Sequence, residues 1–171
     1  MATSPSVEDG APYFPLPSYA SNVKQLLSDR KLTLPTEIVR SVGWLEGTRP
    51  TIDLIADLDE PGRFTLYQME TVLHLIKALA KEIRSEEVTP EVPARLQVLQ
   101  DRYHIARIDR PGFRLRLTEH ILVHMGVDPS ASPDPQPWFL IQGRSDCIDV
   151  MTIEYRNARL RRWHSKTSID R

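Results

Sequence analysis

The chain of 171 residues has one cysteine, Cys147. A lone cysteine closes no internal disulfide, which removes the disulfide-stapled class and fits a reducing, cytosolic compartment. Glycine is sparse, at seven residues, and no Gly-rich phosphate loop, Gly-x-Ser-x-Gly elbow or His-Glu-x-x-His pattern occurs. No apolar run approaches the ~18 residues of a membrane span; the longest, near Leu73–Ala80, is broken by Lys77. Met1–Asn22 lacks a basic start followed by an apolar stretch, so no secretory signal is expected. No motif points to catalysis, a cofactor, a membrane or a small-molecule substrate. The expectation is a protein that is not an enzyme, with no catalytic residues and no cofactor.

What is present is ordinary for a folded chain: 40% hydrophobic and 26% charged residues. The length suits one domain or two small ones, with a core burying about 68–70% of the unfolded surface. The net charge of −1 is unevenly spread. Residues 1–90 hold 9 Lys/Arg against 13 Asp/Glu, and residues 91–171 hold 13 against 10. A basic second half fits either a polyanionic partner or a solvated surface.

Ala2–Ser18 carries Pro5, Pro12, Pro15 and Pro17, and so reads as an extended lead-in. Val23–Leu27 suits a strand, Ser28-Asp29-Arg30 a turn, and Lys31–Leu34 a second strand with polar and apolar residues alternating. Thr36–Val42 predicts a two-turn helix with Ile38, Val39 and Val42 on one face, closed by Gly43. Thr51–Ala56 and Arg63–Tyr67 flank Asp59-Glu60-Pro61-Gly62 as a hairpin. Gln68–Glu87 has the helical spacing Met69, Val72, Leu73, Ile76, Leu79, Ala80, Ile83, a packing seam in the first instance. Pro90 and Pro93 mark a linker, and Ala94–Leu99 a short helical stretch.

The second half repeats the first. Lys31–Trp44 superposes on Arg114–Val127 at a constant offset of 83, with leucines alternating, an apolar helical stripe following and a glycine closing each segment. Phe64-Thr65-Leu66 recurs as Ile148-Asp149-Val150, and Tyr103–Ile108 matches Val23–Leu27. Each copy of about 50 residues is too small to bury much alone, so the copies are expected to pair.

This unit resembles the swapped-hairpin, AbrB-like DNA-binding fold, and two copies joined by a helix resemble the MraZ family of bacterial transcriptional regulators. The residues that carry the resemblance are Arg30-Lys31-Leu32-Thr33-Leu34-Pro35 with Gly43, and Asp109-Arg110-Pro111-Gly112-Phe113-Arg114-Leu115-Arg116-Leu117 with Gly126. Family members typically show an Asp-x-x-Gly-Arg turn before the leucine-rich strand. Here copy one has Ser28-Asp29-Arg30-Lys31 without glycine, and copy two carries Phe113 between Gly112 and Arg114.

The resemblance implies an α+β, β-rich fold: two AbrB-like units in an intramolecular pseudo-dimer barrel, joined by a long helix. The expected division is 1–22 lead-in, 23–67 first repeat, 68–100 helical connector, 101–155 second repeat and 156–171 basic tail. The implied function is DNA-binding transcriptional regulation at promoter repeats by a ring-like homo-oligomer in the cytoplasm, associated with the nucleoid. The implied DNA-facing residues are Arg30, Lys31 and Arg40 in copy one and Arg110, Arg114 and Arg116 in copy two. Lys24 and Arg107 on the preceding strands extend the patch. Lys and Arg neutralise phosphates, and Arg also forms bidentate contacts to guanine edges. An alternation such as Arg114, Arg116 equally describes the wet face of a strand.

Two other readings stand beside this one: an assembly module of the same fold that no longer binds DNA, and an antitoxin-like regulator paired with a toxin. The segment Arg156–Lys166, with Arg159, Arg161, Arg162 and Trp163, reads as a helix, a phosphate-binding arm or a disordered polar tail. His120 and His124, four apart on the second short helix, are expected to face one way, with no third metal ligand evident and no metal site assigned. Cys147 reads as structural.

Overall fold

A computed structural model describes residues 21–74, 77, 81, 101–131 and 135–169. Eight strands form one antiparallel sheet: β1 (Ser21–Gln25), β2 (Lys31–Thr33), β3 (Thr51–Asp57), β4 (Arg63–Gln68), β5 (Tyr103–Asp109), β6 (Arg114–Arg116), β7 (Trp138–Arg144) and β8 (Cys147–Thr152). Their order is β1-β7-β8-β4-β3-β5-β6-β2. Leu27 N–H bonds the Lys31 carbonyl (2.9 Å), which brings the two ends of the sheet together into a nearly closed barrel. Three helices accompany it: α1 (Thr36–Ser41), α2 (Glu119–His124) and α3 (Ile153–Ile169). Residues 69–74, 77 and 81 are also helical, where the long connecting helix is expected. The lead-in up to residue 20, the Pro90–Pro93 linker and the Ala94–Leu99 stretch lie outside the described residues.

The alternation read from the sequence sets the two faces of the barrel wall. Leu32 and Leu115 are fully buried between exposed or half-exposed neighbours on β2 and β6. Leu54, Phe64, Leu66, Ile108, Phe139, Ile141, Ile148 and Val150 complete the interior, so the barrel is packed rather than hollow. Ile38 and Val39 of α1 and Ile121 and Leu122 of α2 add to the same core. Because β2 and β6 are antiparallel, the helices that follow them cover opposite mouths of the barrel.

Four of the seven ladders between described strands join the two halves of the chain: β1·β7, β2·β6, β3·β5 and β4·β8. Exchanging the halves turns β1·β7 into β5·β3 and β3·β4 into β7·β8, and returns β2·β6 and β4·β8 to themselves. Individual bonds recur as well. Leu34 N–H bonds the Phe113 carbonyl, and Leu117 N–H bonds the Arg30 carbonyl, each at 2.9 Å. Gly43 and Gly126 both take positive φ (77° and 74°) and both bond a carbonyl of their helix at 3.0 Å. A residue with a Cβ is strained in that conformation, which explains why glycine ends both helices.

The turns before β2 and β6 differ from the sequence alignment in one respect. Arg30 (φ 62°) and Phe113 (φ 46°) hold the same left-handed position. Phe113 is therefore the counterpart of Arg30, and the extra residue of copy two lies earlier, within Arg110–Gly112.

Candidate nucleic-acid interface

The outer wall of β5, β6 and β2 gathers part of the expected cationic set. Arg114 and Arg116 project outward on either side of buried Leu115. In the β2·β6 ladder Lys31 stands opposite Arg116, and Thr33 opposite Arg114. Like charges directly opposite one another on a sheet destabilise it. Asp29 relieves part of this repulsion, 3.7 Å from Lys31 Nζ. Arg116, Arg114 and Arg40 make no ion pair with any described residue. Arg107 lies one strand over on the same wall and is held by Asp53, its ladder partner, at 2.7 Å.

The remaining expected contacts lie elsewhere. Arg30 turns its guanidinium onto the Pro129 carbonyl. Arg110 bonds the carbonyls of Leu45 (3.0 Å) and Glu46 (2.8 Å) and so braces the 45–47 loop. A Cβ on Gly47 would meet the Arg110 guanidinium at 2.7 Å, so that loop accepts only glycine there without a shift. Arg40 sits exposed in the last turn of α1, at a barrel mouth. Lys24 stands opposite Phe139 in the β1·β7 ladder, and residues opposite each other share a face. Phe139 is fully buried, so Lys24 belongs to the interior side of β1 and is half-buried at its end, away from the outward arginines.

The histidines also separate. His124 Nε2 lies 2.7 Å from the Arg63 carbonyl, whereas His120 stacks on His104 with ring centroids 5.1 Å apart. They therefore do not form the side-by-side pair expected from their spacing. Among the described residues no group of three His, Cys, Asp or Glu side chains is placed to hold a metal ion. The Cys147 thiol is buried, and burial pushes its pKa up, against its reactivity as a thiolate. An open cleft of about 590 Å³ lies beside this wall, lined by Glu46, Arg49, Asp53, Glu70, Leu73 and Arg110 among others.

One charged feature escaped the sequence reading. On β8, Asp149 is buried (side chain 4% exposed) and ties three side chains from 84–86 residues upstream and from its own hairpin. Arg144 approaches it through Nε (2.5 Å) and Nη2 (3.1 Å), Arg63 lies at 3.3 Å, and the Thr65 hydroxyl donates at 2.7 Å. The signal was an acidic residue at the centre of an otherwise apolar strand, Cys147-Ile-Asp149-Val-Met151. The C-terminal segment, for which a helix was one of the expected readings, forms α3. Thr152 Oγ1 accepts from Tyr155 N–H (3.1 Å) at its start. Tyr155 donates its hydroxyl to Glu60 (2.5 Å) across the first hairpin turn, and this bond holds the Glu60 carboxyl below its ordinary pKa.

Comparison with protein-family models finds no match, and comparison with curated proteins finds none. No helix among the described residues is long and apolar enough to cross a membrane.

Proposed function

We propose that this chain is a DNA-binding transcriptional regulator of the MraZ-like kind, built from two AbrB-like units paired within one barrel. The exchange of halves, which preserves six of the seven ladders, supports the paired-unit reading. The outward row Lys31, Arg116, Arg114 carries the functional one: its cations face each other without enough acidic partners, an arrangement that a polyphosphate chain relieves. Promoter repeats read by several copies of the chain would add weak single contacts through multivalency.

The test is titration of a labelled promoter duplex at ~50 and ~200 mM salt, where electrostatic binding differs most. Binding that weakens steeply with salt is expected. Substituting Arg114→Gln with Arg116→Gln should lower the slope of log K against log salt by about 2, at ~0.9 for each phosphate no longer neutralised. No binding at the lower salt overturns the proposal.

A second reading, an assembly module that no longer binds DNA, is favoured by one observation. Arg30, Arg107, Arg110 and Lys31 already have partners inside the protein.

A further inference from the structure

The sequence of α3 after Glu154 carries Arg156, Arg159, Arg161, Arg162 and Lys166 and no acidic residue through Ile169. The helix is fastened at its beginning. Residues 155–158 are half-buried, and residues 159–165 are exposed. Gly62 admits it closely: a Cβ there would lie 3.2 Å from the Cβ of Tyr155. Thr152 N–H also bonds the Gly62 carbonyl at 2.8 Å.

Beyond that anchor the helix presents Tyr155, Arg159 and Arg162 at i, i+4 and i+7, one stripe along its side. The adjoining stripe is Arg156, Leu160 and Trp163, and Trp163 is 61% exposed. Like-charged neighbours at these spacings destabilise a helix, and isolated helices of this length are marginal. A helix with this charge and without an apolar face of its own is matched by an anionic surface.

We infer that α3 is a second phosphate-binding surface of this protein, in which Arg159 and Arg162 contact a nucleic-acid backbone and Trp163 packs on the same strand. The inference rests on the nucleic-acid reading above but concerns a different place. The helix leaves from β8, and two strands separate the β8·β4 pair from the β2·β6 pair in either direction round the barrel. An anionic lipid surface suits it less well. Surface-seeking helices segregate a broad apolar face from a charged one, whereas Arg161 lies across the helix from Arg159 here. Arg and aromatic side chains side by side are instead the usual equipment for tracking a phosphate backbone and stacking on its bases.

The test compares Arg159→Gln with Arg162→Gln in one chain, Arg114→Gln with Arg116→Gln in another, and all four together. Each full-length chain is titrated with a labelled mixed-sequence duplex and a labelled single strand over a salt series. The helix pair should lower the salt slope by about 2 for the duplex, the strand pair by a similar amount, and the four together by their sum, since distant sites act additively. Tryptophan emission should be quenched on binding in a Trp138→Phe background, and the quenching should vanish when Trp163→Phe is added, with buried Trp44 as the silent reference. Unchanged melting of the helix variant confirms that the barrel is intact. If the unsubstituted chain binds neither probe, the reading beneath this inference fails. If it binds and the helix pair leaves slope and affinity unchanged, this inference alone is overturned. Binding to phosphatidylserine vesicles but not to either nucleic acid overturns it too.

Discussion

Asp149 shows how one side chain joins the two halves. Its carboxylate is removed from water and survives there because two guanidiniums and a hydroxyl replace the lost hydration. Removing it strands Arg63, whose Nε already lacks a partner, in a largely buried position. Asp149→Ala is expected to destabilise the protein by about 3–5 kcal/mol, the usual cost of breaking a buried ion pair from one side. Urea unfolding measures this, and a loss below about 1 kcal/mol would mean that the arginines find water without opening the barrel. Arg110 makes the complementary point. Its charge draws attention in the sequence, yet it is occupied by two backbone carbonyls and serves a loop.

At the scale of elements, the decisive feature of α3 is how it starts. Thr152 caps it, and Tyr155 ties it to Glu60 on a separate hairpin turn. Since the Glu60 carboxyl lies below its ordinary value of 4.5 in the folded chain, the tie stabilises fully above that pH. It fades as the pH falls through the folded-state value. In a carboxyl-detected titration Glu60 should move back towards 4.5 in Tyr155→Phe, and the stability gap between the two proteins should narrow on acidification. A Glu60 that titrates identically in both would show that the hydroxyl does not hold it. The two short helices follow the same logic of ends. Both stop at a left-handed glycine, and α2 also gains the Thr118 side chain, which accepts from Ile121 N–H at 3.5 Å.

For the whole molecule, the relevant fact is that neither half owns its sheet. β1 needs β7, β5 needs β3, and the β2·β6 and β4·β8 seams need one strand from each half. Residues 1–90 expressed alone would expose strand edges along with half of the core, a state that invites unfolding or aggregation. Circular dichroism of each separate half should therefore show little folded structure, and mixing the two should restore the β-sheet signal. A half that unfolds cooperatively by itself would contradict this interlocked arrangement.

The elements of this protein were legible in the sequence because the forces that shape them act locally. Strict alternation around Leu32 and Leu115, the apolar stripe Ile38-Val39-Val42, and glycine at 43 and 126 each report a conformation within a few residues. The constant offset of 83 disclosed that the same pieces occur twice. Which strand lies beside which, and what each charge is spent on, depended on contacts between residues some fifty to more than a hundred positions apart. Only the assembled barrel sets Lys24 on the interior side of its strand, turns His124 to the Arg63 carbonyl instead of to His120, and buries Asp149 between two arginines. Periodicity tells which residues share a face; it carries no information about what that face meets, because register is chosen by the packing of the whole barrel.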